Sequence, residues 1–135
     1  MVSFVWIYFG KSQYAYNHIF FKIGEFAWFP FLAWSFGLFL VYSIYLFLFK
    51  KINTNFIDKF FIFSFLYWTL LIIVETLGYH FFNIHNLAAA GYKGLPICDC
   101  MHAPLWMKMV YFMLGPLYFI SCEFYKLINN WKNNV

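Results

Sequence analysis

The sequence predicts an all-α polytopic membrane protein with three transmembrane helices and an N-terminal interfacial amphipathic helix. Three observations carry that prediction. The 135-residue chain is 64% hydrophobic and 10% charged, with a mean hydropathy of +0.69, whereas a soluble domain carries roughly a quarter charged residues to solvate its surface. Aromatic residues make up 28% of it, 21 of them Phe. Uncharged runs long enough to cross a bilayer recur along it. One membrane domain over 1–135 follows.

The first ten residues, MVSFVWIYFG, are apolar but too short to span. They lack the basic start and small-residue cleavage site of a secretory signal and are expected to be retained. Over residues 11–25, Lys11, Tyr14, His18, Lys22 and Glu25 recur on one helical face, with Ala15, Tyr16, Ile19, Phe20 and Ile23 opposite. That pattern predicts a helix lying in the headgroup plane, so 1–25 is assigned as the interfacial segment. Residues 26–49 carry no charge and form the first span, since about 1.5 Å per residue carries such a run across roughly 30 Å of hydrocarbon. Pro30 falls in its first turns, where a missing N–H costs little.

Residues 50–59, KKINTNFIDK, read as a polar connection, and 60–82 as the second span. Residues 83–103 form a loop whose Leu87, Leu95, Ile97 and Met101 predict order. The third span covers 104–128, with Pro104 at its first position. Gly115-Pro116 in its middle is expected to kink it and free a backbone carbonyl. Ser64, Thr69 and Ser121 are expected to bond back to their own helix or across to another.

Charge and cysteine content exclude several classes. Every basic residue is Lys, so no guanidinium clamp for carboxylate or phosphate exists. The net charge of +4 is scattered singly along the chain, which argues against a nucleic-acid footprint. Three Cys cannot complete a disulfide framework. Lys50, Lys51 and Lys59 lie densely after the first span, which places that loop in the cytoplasm and the Cys/His loop on the extracytoplasmic side of the cell membrane.

The groups able to carry chemistry gather in one stretch, Glu75 to His102. Glu75 is an ionisable side chain inside a span, tolerated only against a partner, water or a polar cavity. Tyr79, one turn on, shares its face; His80 and His85 are five apart and fall on different faces of a straight helix. Cys98, Cys100 and His102 would point to one side of an extended segment and offer soft ligands for Cu(I) or Zn(II). A disulfide to either loop thiol or buried free thiols are the alternatives, and a bond directly between Cys98 and Cys100 is expected to be strained by its short reach. Cys122 is expected to pack. No P-loop, dinucleotide fingerprint or nucleophile elbow is present.

The runs GYHFFNIHN and GLPICDCMHAPLW, on a short, Lys-only, aromatic-rich chain, resemble the small accessory membrane subunits of archaeal ammonia monooxygenase, a copper membrane monooxygenase. That resemblance implies a non-catalytic subunit packed against other membrane subunits, with copper held by those partners. Glu75, Tyr79, His80 and His85 are the residues expected at an intersubunit contact. The intramembrane Glu75 also makes the chain look like the helical bundles of the emopamil-binding and lycopene-cyclase type. There a carboxyl within a span protonates a sterol or polyene, implying Glu75 as general acid with His80 or Asp99 assisting. Those folds have four or more spans, and this chain offers three. A third possibility is a copper-handling protein built on Cys98, Cys100 and His102.

Overall fold

A computed structural model describes residues 2–10, 15–16, 22–23, 26–49 and 55–133. Among the described residues three helices are long and apolar enough to cross a membrane: α2 (Trp28–Phe49), α3 (Phe56–Thr76), whose apolar run continues to Phe81, and α4 (Leu105–Asn133). A short apolar helix, α1 (Val2–Gly10), precedes them and packs on α2 with Ile7 fully buried. The chain is thus all-α, as expected, apart from two two-residue strands, β1 (Lys22–Ile23) and β2 (Phe26–Ala27), paired antiparallel.

The N-terminal helix lies earlier in the chain than its polar stripe predicts. Of the stretch 11–25, the described residues are extended: Tyr16 bridges Asn86, and Lys22–Ile23 pair with Phe26–Ala27. Lys11, Tyr14, His18 and Glu25 lie outside the described residues.

Helix α3 begins at Phe56, inside the stretch expected to be a polar connection. Asn55 caps it, its side chain accepting from Asp58 N at 2.8 Å, and the Asp58 carboxylate sits in the first turn. Together these satisfy a free N–H and complement the helix dipole. Helix α4 starts at Leu105. The Pro104 carbonyl accepts from Met107 N (3.0 Å) and Lys108 N (3.2 Å), so Pro104 caps the helix instead of opening it. At the far end α4 runs through the asparagine-rich tail, where Leu127, Ile128 and Trp131 continue the helical period.

The α3–α4 contact is the most extensive in the fold, and two adjacent carbonyls of α4 explain its register. Pro116 has no N–H to give the Phe112 carbonyl; Trp68 of α3 donates its indole N–H to that carbonyl at 2.8 Å. The Tyr67 hydroxyl donates to the Tyr111 carbonyl at 2.5 Å. Gly115 faces the Tyr67 ring so closely that a Cβ would overlap it. Below this clasp Phe63 and Phe119, both fully buried, stack at 5.0 Å, and Tyr45 of α2 meets each ring edge-on. Tyr42 of α2 donates to Glu123 at 2.9 Å, which also pairs with Lys126 at 2.7 Å, tying α2 to α4. Cys122 is a half-buried free thiol beside this trio. Thr69 and Ser121 bond back to Phe65 and Leu117 as expected. The buried Ser64 hydroxyl has no partner among the described residues, contrary to expectation.

Two substitutions test the clasp. Trp68→Phe leaves the Phe112 carbonyl unsatisfied in an apolar setting and is expected to destabilise by about 1–3 kcal/mol. Pro116→Ala supplies the missing helical N–H and should recover most of that loss in the double variant, as read by thermal unfolding in detergent.

Candidate functional site

After Thr76 helix α3 widens into a π segment, Leu77–Phe81, closed by the Phe82 N–H donating to the Leu77 carbonyl at 3.0 Å. Such bulges occur frequently at functional sites, because one extra residue per turn re-aims the side chains around it. Thr76 anchors its start, donating to the Ile72 carbonyl at 2.6 Å. Asn83 then takes a left-handed φ of 52° and turns the chain into the loop.

The loop over 83–103 is ordered by its own polar groups. Asn86 receives Ala15 N at 3.0 Å and Ala88 N at 3.3 Å on its side-chain oxygen, pinning the segment before α2 to the loop. The His102 ring lies between two carbonyls, Nδ1 at 2.8 Å from Tyr92 O and Nε2 at 3.1 Å from Asp99 O. His80 contacts the Cys98 carbonyl at 2.8 Å and so ties the π segment to the loop. Lys108 donates to the Lys93 carbonyl at 2.6 Å. Gly94 is required where it stands: a Cβ would come within 2.6 Å of the Asp99 carboxylate and 2.8 Å of its backbone.

Under this loop, between α2 and α3, is a cavity of about 340 Å³, within the size range of small-molecule sites. Its walls are apolar: Leu38, Val41 and Ile44 from α2 face Leu70, Leu71 and Val74 from α3. Its loop end is polar, where Glu75, Tyr79, His85, Asn86 and His102 converge. Tyr79 is the centre of that end, its ring stacked on His102 (4.6 Å, 13°) and met edge-on by His85 (4.2 Å, 77°). The Glu75 carboxyl is half-buried and, among the described residues, takes part in no hydrogen bond or ion pair. It stands six residues before the end of the apolar run, about 9 Å deep at roughly 1.5 Å per residue.

The expected site residues divide accordingly. Glu75 and Tyr79 share the cavity as their four-residue spacing requires, and His85 joins them because the π segment and the turn at Asn83 fold it back. His80 is directed to the loop backbone and not to the cavity. The Asp99 side chain is 80% exposed and lies 3.5 Å from His102 Nε2, away from Glu75. The grouping of Cys98, Cys100 and His102 as a soft ligand set on an extended segment needs correction. Asp99 (φ 42°) and Met101 (φ 56°) are left-handed, which destroys the alternation. The turn at Asp99 brings the Cα atoms of Cys98 and Cys100 to 5.1 Å, and the two form a disulfide, a separation inside the ordinary disulfide range. Neither sulfur is then a thiolate, and the His102 nitrogens face carbonyls. Among the described residues no group of three His, Cys, Asp or Glu side chains is placed to hold a metal ion.

Sequence reasoning missed Trp34, Gly37, Gly78 and Asn86 as lining residues. The two glycines carried a signal, since each omits a side chain on an otherwise bulky helix; a Cβ at either would meet nothing within 4 Å. The pairing of cysteines predicts that, in the unfolded, unreduced protein, a thiol-alkylating reagent adds once, at Cys122, and three times after reduction, as counted by intact mass. No family model matches the chain, and neither a curated protein nor a solved structure matches it.

Proposed function

We propose that the protein is an intramembrane enzyme acting on an isoprenoid or sterol-like lipid, with Glu75 as the general acid. The observation that carries this reading is the position of the Glu75 carboxyl: unpaired among the described residues, in an apolar-walled cavity between two spanning helices. A structural carboxyl at that depth is normally held by a partner, because an unsatisfied ionisable group there is costly. A carboxyl reserved for proton transfer has to keep an oxygen free for the reacting atom.

The corresponding step is a proton shuttle. The Glu75 carboxyl gives its proton to one carbon of a double bond, leaving a carboxylate and a carbocation. Loss of a proton from a neighbouring carbon back to the carboxylate moves the double bond and regenerates the acid. The rings of Trp34 and Tyr111, both lining the cavity, would stabilise the positive charge through their π quadrupoles. His80 and Asp99 have no part in this, since both are aimed elsewhere.

An accessory subunit of a copper membrane monooxygenase, with copper on partner subunits, is the second reading. It is favoured by bulky rings left uncovered on the outer helix faces, such as Phe36 (66% exposed), Phe47 (84%) and Phe65 (72%), although acyl chains would cover these equally well. The copper-handling reading ranks below both, because the disulfide occupies its two sulfurs.

The two leading readings separate on purified protein. The enzyme isomerises a lipid unaided, and Glu75→Gln lowers turnover by at least the 10²-fold typical of a lost general acid while its unfolding midpoint stays close to the native one. A protein that is inert alone but co-purifies at fixed stoichiometry with other membrane chains is a subunit, and the enzymatic assignment is then wrong.

A further inference from the structure

Two residues of the cavity wall are also on the outside of the molecule. Leu40 of α2 is 43% exposed and Val74 of α3 is 63% exposed, and both line the cavity. They stand on the two helices that flank it, within segments apolar enough to lie in the bilayer. The cavity therefore opens sideways, between α2 and α3, at the level of the acyl chains. Gly37 on α2 leaves that side unfilled, a Cβ there meeting nothing within 4 Å. The aqueous end is covered by the loop, through Ile84, Asn86, Ala90 and Met101.

We infer that the gap between α2 and α3 is a lateral portal that admits an uncharged, single-chain lipid from the membrane, its functional end entering first toward Glu75. The inference rests on the general-acid reading for the state of that end and on geometry for the rest. An anionic head is opposed by charge: among the described residues the cavity is lined by one carboxyl and by no Lys, the chain has no Arg, and the imidazoles of His85 and His102 are turned to the Asn83 side chain and to two backbone carbonyls. Lys93 and Lys108, the lysines nearest in sequence to the lining loop residues, are not in the lining, and Lys108 is spent on the Lys93 carbonyl. Phosphate or diphosphate esters therefore find no Lys or Arg counter-charge among the described lining residues. A cationic head would hold Glu75 as a carboxylate and remove the proton the reaction uses. A single chain follows from volume: about 340 Å³ is near the lower limit for ligand sites, too little for two chains, so the remainder of a long tail stays in the bilayer.

The test uses the full-length protein in phosphatidylcholine vesicles. The probes are a long-chain alcohol with a diazirine near its head, the matching phosphate monoester and the matching primary amine. The expected result is labelling of the Gly37–Leu40 or Val74–Gly78 peptide by the alcohol and much weaker labelling by the ester and the amine. Gly37→Leu fills the portal and should lower the alcohol's labelling about tenfold or more. Gly91→Leu, at a glycine with equally open surroundings but outside the cavity, should leave it unchanged, with circular dichroism confirming both variants folded. Equal labelling by the ester, stronger labelling by the amine, or labelling indifferent to Gly37→Leu would overturn the proposal. Labelling needs no turnover, so loss of the general-acid reading on Glu75→Gln is detected separately from loss of the portal.

Discussion

The architecture depends on how tightly α3 is held to α4. In hydrocarbon there is no hydrophobic force between helices, so packing and polar contacts decide which pairs form. Here both are concentrated at one level. Gly115 lets the Tyr67 ring lie against the α4 backbone, and Pro116 leaves the Phe112 carbonyl for the Trp68 indole. A residue that would break a soluble helix thus creates the acceptor that fixes this pair. The Phe63–Phe119 stack, with Tyr45 from α2 set against it, extends the same contact toward the other end of the bundle.

With α3 committed to α4, α2 meets α4 toward both ends, the Trp34 ring lying 4.9 Å from that of Tyr111 near the loop, but it leaves a gap against α3. Tyr42 and Tyr45 join it to Glu123, Phe63 and Phe119, while toward the loop Gly37 and Gly78 supply no side chains to fill the gap. The cavity lies in that gap, between the two helices and beneath the ordered loop. The π segment then serves a geometrical purpose. It brings Tyr79 under His102 and His85. Structure at the loop is maintained by backbone-directed side chains and the Cys98–Cys100 disulfide, none of which uses the Glu75 carboxyl.

Much of this was legible in the sequence, for reasons that differ by element. The spans were legible because an uncharged run such as 26–49 admits few alternatives, and Glu75 was legible because a carboxyl among Leu, Ile and Val needs a reason. The start of α3 was missed although Asn55 and Asp58 form a cap, because surrounding Lys and Asn residues resemble a connection. The end of α4 was missed for the same reason: Asn130, Asn133 and Lys132 hide the period kept by Leu127, Ile128 and Trp131. The stretch 11–25 has a helical period, yet of its described residues Tyr16 bridges the distant Asn86 and Lys22–Ile23 turn back on Phe26–Ala27 in a short hairpin, neither of which that period reveals. The disulfide was misjudged by assuming an extended backbone; a left-handed φ at a single Asp reverses the geometry. The cavity itself arises from differences in helix spacing, which a linear sequence encodes only as two absent side chains.

The central claim is that Glu75 faces an internal cavity entered between α2 and α3, and not the open bilayer. An apolar carbodiimide, which reaches carboxyls through lipid, measures this most directly when its rate of addition to Glu75 is followed by peptide mass in vesicles. The account predicts that Glu75 is modified and that Gly37→Leu slows the reaction about tenfold or more. Modification at the same rate in the filled variant would mean that the carboxyl meets lipid directly, and would contradict the account.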